Sequence, residues 1–168
     1  MSNRRQFIKK SAQATGALYL GSLGFSPKSY GRIIGANDRV NVGVVGFSDR
    51  FRSSLLPAFL GQHKDTNFDI IAVADLWNMR RDEGKAQLSK QFDHDIRTFV
   101  NNEALCAMKD IDAVIISTAD FQHAQHLIAA VKAGKDAYVE KPFAETMADN
   151  RAALKAVKDT GRIVQVGS

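Results

Sequence analysis

The segment Asp112-Ala113-Val114-Ile115-Ile116-Ser117-Thr118 constrains the fold more than any other part of the chain. Its apolar residues run without a break, where a strand facing water on one side would alternate. A run so short and so uniformly apolar predicts a strand buried on both faces, as parallel strands are. The same kind of run recurs at Val40 to Gly46, Phe68 to Asp75, Ala137 to Glu140 and Ile163 to Val166, with a shorter one at Thr98 to Val100. Helical patterns separate the runs: Ser53 to Gly61, Asn78 to Gln91, Asn102 to Met108, Gln122 to Ala133 and Met147 to Thr160. Gly134 and Gly161 stop the last two, and Thr146 caps the final one. Alternation of this kind predicts an α/β fold, a doubly wound parallel sheet of Rossmann type with six strands.

The formal net charge of +5 first points towards a nucleic-acid partner. Its distribution removes that reading. Arg4, Arg5, Lys9, Lys10, Lys28 and Arg32 fall within the first 36 residues, which hold no acid, so the remainder carries −1. Nucleic-acid binding thereby loses its electrostatic footing. The basic leader has a pattern of its own. Arg4-Arg5-Gln6-Phe7-Ile8-Lys9-Lys10 precedes a weakly apolar stretch from Ala12 to Phe25. A paired arginine before such a stretch predicts a twin-arginine export signal, and the stretch is too short and too polar for a stable membrane span. Residues 1–36 are therefore expected to be signal peptide and linker, residues 37–168 the folded domain, and the location periplasmic or extracellular. The single cysteine, Cys106, permits no internal disulfide.

The strand ends carry the chemistry, because open α/β sheets bind ligands beyond the carboxyl ends of their strands. After the first strand comes Gly46-Phe47-Ser48-Asp49-Arg50-Phe51, in the place of a G-x-G-x-x-G dinucleotide loop. Gly46 is the first glycine, while Ser48 and Phe51 replace the second and third. The third glycine normally lets helix lie close on strand, so Phe51 is expected to turn out of that contact or force it open. Asp75 ends the second strand, where an acid accepts hydrogen bonds from ribose hydroxyls and repels a 2′-phosphate. That favours NAD; Arg80 and Arg81 close by leave NADP open, and a plain helix cap is the alternative role of Asp75. Ser117 and Thr118 end the fourth strand and can face a cofactor. His123 is expected to line the same pocket. His126 lies three residues further along the same helix face, but no third ligand accompanies the pair, so no metal site is expected.

Tyr138-Val139-Glu140-Lys141-Pro142 is the sharpest motif. It sets a lysine beside a carboxylate at a strand's carboxyl end, where the ammonium group can hydrogen-bond a hydroxyl, move a proton or hold a ribose. A solvated surface salt bridge is the alternative.

Taken together, these residues resemble the Gfo/Idh/MocA family of NAD(P)-dependent oxidoreductases, from Val40 to the last residue. The motifs carrying the likeness are the Asp112 to Thr118 strand, Ala133-Gly134-Lys135, Tyr138 to Pro142 and Thr160 to Gly167. The resemblance assigns cofactor binding to Gly46, Phe47, Ser48, Asp75, Ser117, Thr118, His123, Glu140 and Lys141, with Lys141 as the catalytic residue. Phe51 departs from the family pattern at the third glycine, and Ala119 stands where the family has proline. The resemblance implies an exported enzyme acting with a nicotinamide dinucleotide on a hydroxyl of a sugar or cyclitol, with a homo-oligomer as a further expectation. An NAD-dependent glycoside hydrolase of the same family and a non-catalytic nucleotide-binding module remain alternatives. The family's second α/β domain, which holds most substrate contacts, is expected to be absent from these 168 residues.

Overall fold

The computed structural model describes residues 39–167, and the signal and linker assigned to residues 1–36 lie outside them. Six strands form one parallel sheet: β1 (Val40–Val45), β2 (Phe68–Ala74), β3 (Arg97–Phe99), β4 (Ala113–Ile116), β5 (Asp136–Val139) and β6 (Val164–Val166). Their order is β3-β2-β1-β4-β5-β6. The chain thus winds outward from β1 in one direction, returns to β4, and winds outward in the other. Between β1 and β4 the loops leave in opposite directions and open a crevice.

Both faces of the sheet are covered, for the reason legible in β4. Val114 and Ile116 point into one apolar cluster and Ile115 into the other. The first cluster is closed by α4 (Asn102–Cys106), α5 (His123–Lys132) and α6 (Met147–Thr160). The second is closed by the helix after β1 and by α3 (Asn78–Phe92). Local chemistry sets the helix ends. The Thr146 hydroxyl accepts the Asp149 N–H at the start of α6, and Gly161 ends it at φ 63°. Asn101 caps α4 by accepting the Ala104 N–H.

The helix after β1 is where the structure departs from expectation. It is helical from Asp49, not Ser53, and opens with a π-helical segment (Phe51–Leu55) that runs into α1 (Leu56–Leu60). A short α2 (His63–Thr66), absent from the sequence reading, follows. Phe51 does not turn out: it is fully buried, its ring 5.6 Å from that of Phe47. The π-helical turn carries the aromatic side chain into the core. Close packing is recovered elsewhere. Gly84 of α3 lies over Phe47, and a Cβ at Gly84 would stand 3.1 Å from the Phe47 ring.

Restoring the fingerprint glycine should therefore harm the protein. Phe51→Gly removes a fully buried ring and is expected to cost about 3–5 kcal/mol of stability, measured by urea unfolding. An unchanged unfolding midpoint would show that Phe51 is not a core residue.

Candidate functional site

The crevice is built on one backbone contact. Gly46 ends β1 at φ 87°, and its N–H donates to the Ala74 carbonyl at 2.8 Å. A Cβ at this position would lie 2.7 Å from the Ser117 carbonyl oxygen and 2.8 Å from Thr118 Cγ2. Only glycine satisfies both the dihedral angle and the contact. The loop so placed is pinned on either side. Ser48 Oγ lies 2.7 Å from Ser117 Oγ and accepts the Phe51 N–H at 3.2 Å. Asp75 Oδ2 accepts the Phe47 N–H and Asp75 Oδ1 the Trp77 N–H, both at 2.9 Å. Asp75 thus serves the turn into α3 and the glycine loop together, and each oxygen keeps a lone pair for a further donor.

A cavity of about 560 Å³ opens at these strand ends, lined among others by Gly46, Ser48, Asp75, Trp77, Thr118 and His126. Thr118 Oγ1 is buried, with no hydrogen-bond partner among the described residues. Burial holds the His126 pKa below its ordinary value despite the nearby Glu103 charge. Ser117 is buried and borders the cavity. Phe47 also borders it, and its side chain belongs to the core.

His123 does not line this cavity, and the expectation that it would is corrected. The residue is 1% exposed, with Nδ1 2.8 Å from the Pro142 carbonyl and Nε2 3.1 Å from the Thr118 carbonyl. It staples the loop after β4 to the turn after β5. The neutral ring donates to one carbonyl; the imidazolium donates to both.

Glu140 and Lys141 part company in the same region. Glu140 is buried, and its Oε1 accepts Arg50 Nε at 3.0 Å while Oε2 accepts the backbone N–H of Lys141 at 3.1 Å. The carboxylate therefore pairs with Arg50 of the glycine loop, not with the lysine ammonium. The Lys141 side chain is exposed and makes no hydrogen bond or ion pair among the described residues; the Lys141–Pro142 peptide is cis. Arg50, which also donates to Ser54 Oγ at 3.1 Å, was not among the site residues expected from sequence. Ninety positions separate it from Glu140, and no local pattern joins them. The signal available was chemical: a carboxylate buried at a strand end requires a cation, and a lysine next to it in sequence points elsewhere.

These features fit a dinucleotide. Gly46 makes a tight turn at the strand end, Asp75 borders the cavity with lone pairs for ribose hydroxyls, and Ser48 and Thr118 border it as well. Among the described residues no three His, Cys, Asp or Glu side chains are grouped to hold a metal ion, and no helix is long and apolar enough to cross a membrane.

The site and sheet define an NAD-binding Rossmann domain. Residues 40–168 match the family model described as "Oxidoreductase family, NAD-binding Rossmann fold", GFO_IDH_MocA, and the chain belongs to that family. Inositol 2-dehydrogenase from Agrobacterium fabrum is 31% identical over 131 residues, 76% of this chain and 36% of that protein. A 4-carboxy-2-hydroxymuconate-6-semialdehyde dehydrogenase from Sphingobium is 34% identical over 112 residues, 66% of this chain and 35% of that protein. The chain thus spans about a third of the length of the curated relatives it matches. In fold it is similar to the WlbA dehydrogenase from Bordetella pertussis, solved with NADH and UDP-GlcNAcA, at TM-score 0.67 and 22% identity over 77% of this chain and 37% of that one. A 3-ketoreductase from Actinomadura kijaniata, solved with NADP, aligns at TM-score 0.65 and 22% identity over the same shares of each.

The Arg50–Glu140 pair gives a test of the site's construction. Arg50→Ala leaves a buried carboxylate unpaired and is expected to cost about 3 kcal/mol or more in chemical denaturation. Adding Glu140→Gln should return much of that loss. A double variant no more stable than Arg50→Ala would show that the pair does not hold the two loops together.

Proposed function

We propose that this chain is the nucleotide-binding part of an exported NAD-dependent oxidoreductase that acts on a secondary hydroxyl of a sugar or cyclitol. One observation carries the reading. Asp75 at the end of β2 borders the cavity beside Gly46 and Ser48, while Lys141, after β5 and outside that cavity's lining, carries an exposed ammonium group with no partner among the described residues. The inositol dehydrogenases among the relatives support the substrate class.

Each residue has a part. Gly46 makes the tight turn that sets the loop, Ser48 stands where the pyrophosphate approaches, and Asp75 accepts from the adenosine ribose hydroxyls. The dinucleotide, when bound, supplies the hydride acceptor. Lys141 Nζ hydrogen-bonds the oxygen of the reacting hydroxyl and relays its proton as the alcohol becomes a carbonyl. The Arg50–Glu140 pair fixes the turn from which Lys141 projects, through the bond to the Lys141 N–H.

The cofactor reading is tested by titrating the chain with NADH and following nicotinamide fluorescence. Saturable binding is expected, weakened about tenfold or more by Asp75→Ala, since hydrogen bonds to a charged acceptor are lost. Absence of binding at millimolar NADH would overturn the assignment. Lys141→Ala should leave NADH affinity within about threefold while abolishing oxidation of whichever polyol the protein accepts. Loss of binding on that substitution would instead make Lys141 a cofactor anchor.

Export rests on the leader, Arg4-Arg5-Gln6-Phe7-Ile8-Lys9-Lys10 before the Ala12 to Phe25 stretch. Replacing Arg4 and Arg5 together by lysine should retain the protein in the cytoplasm on cell fractionation. Unchanged export would remove the twin-arginine reading.

A further inference from the structure

The adenosine end of the crevice holds more charge than a ribose requires. Asp49 follows Ser48 directly and lines the cavity with Asp75, Trp77 and Arg80. Its Oδ1 accepts from Arg80 Nη2 at 3.1 Å and also from Arg52 Nη2. Arg80 Nη1 donates to Glu83 Oε2 at 2.8 Å, and the guanidinium carbon stands 5.5 Å from the centre of the Trp77 ring. Arg52 Nη1 reaches the same Glu83 oxygen at 3.4 Å. Arg81 Nη1 donates to main-chain acceptors, the carbonyls of Asp75 and Leu76, at 2.8 and 3.2 Å.

Both arginines that follow β2, the groups suited to a 2′-phosphate, are therefore already engaged. The hydrogen bond from Arg52 and the positive charge of Arg80 hold the Asp49 carboxyl below the usual carboxylate range, so it is ionised at neutral pH. We propose that Asp49 is a specificity-determining residue that selects the dinucleotide lacking a 2′-phosphate, by occupying Arg80 and adding a second negative charge to that of Asp75. The inference rests on the cofactor reading above and sharpens it.

The energetics decide how the selection works. Asp49 is largely exposed, its side chain 78% accessible, and exposed ion pairs hold weakly. The pair alone would not exclude a phosphate that outbid it. Repulsion supplies the rest. A phosphate bonded to Arg80 Nη2 must displace Asp49 yet remain beside it and Asp75, and the like charges oppose each step. A ribose hydroxyl meets neither obstacle. It binds Asp75 and leaves the Asp49–Arg80 contact in place. Removing the Asp49 carboxylate frees Arg80 Nη2 for a charge-assisted hydrogen bond to phosphate and leaves the hydroxyl contacts untouched.

Trp77 is the chain's only tryptophan and lines the cavity, so its emission reports on occupancy of this end. The full chain is titrated with NAD+ and with NADP+, following Trp77 fluorescence. The unsubstituted protein is expected to bind NAD+ at least about tenfold tighter than NADP+. Asp49→Ala should tighten NADP+ binding about fivefold or more while NAD+ affinity stays within about twofold. Asp49→Ser is a second variant that keeps a polar group at the helix start. Adding Arg80→Gln should cancel the gain. Equal or tighter binding of NADP+ by the unsubstituted protein would overturn the inference. So would an affinity ratio that neither Asp49 variant moves, or a gain that survives Arg80→Gln. Failure to bind either dinucleotide would overturn the cofactor reading and this inference with it, whereas NAD+ binding with an immovable ratio would leave that reading standing.

Discussion

Everything at the ligand end of this domain depends on how closely two strand ends approach. At Gly46 the backbone passes the Ser117 carbonyl with no room for a Cβ, and the left-handed φ turns the chain away before Phe47. Because that passage is so tight, the Ser48 and Ser117 hydroxyls meet and the Phe47 N–H comes within reach of Asp75. The crevice is thus a by-product of strand packing. Its polar groups are positioned by the sheet, which gives them the rigidity a binding site requires.

Glu140 plays a corresponding part on the other side. A carboxylate 2% exposed must be compensated. Its compensation comes from Arg50 on the glycine loop and from the Lys141 N–H on its own turn. Two ligand-facing loops from opposite halves of the sheet are thereby joined through a single side chain. His123 joins a further pair, the loop after β4 and the turn after β5, through two carbonyls. The lysine proposed to meet substrate stands between these braces with its own ammonium group uncommitted.

The sequence exposed the sheet almost completely because parallel strands announce themselves by unbroken apolar runs. Val114-Ile115-Ile116 must be covered on both faces whatever surrounds it. Thr146 and Gly161 marked the limits of α6 through chemistry that acts within a few residues. The site was legible where it depended on local rules, as at Gly46 and Asp75. It was hidden where partners lie far apart in the chain. The Arg50–Glu140 pair and the His123 staple satisfy buried polar groups across loops, and spacing alone records no such obligation. The inward turn of Phe51 was hidden for another reason: a glycine rule predicts where a large residue is unwelcome, but not that a wider helical turn can receive it.

That π-helical opening ties the fate of the ligand loop to the hydrophobic core. In a loop built on three glycines, helix and sheet touch through backbone, and side chains beneath can drift with little effect on phosphate binding. Here Phe51, Phe47 and Gly84 interlock directly under the loop, with Gly84 fitted against the Phe47 ring. A change on α3, on the far side of the aromatic layer, will be felt at the loop as a change of shape. Gly84 lies outside the cavity lining, yet a side chain there would press on the ring beneath the loop.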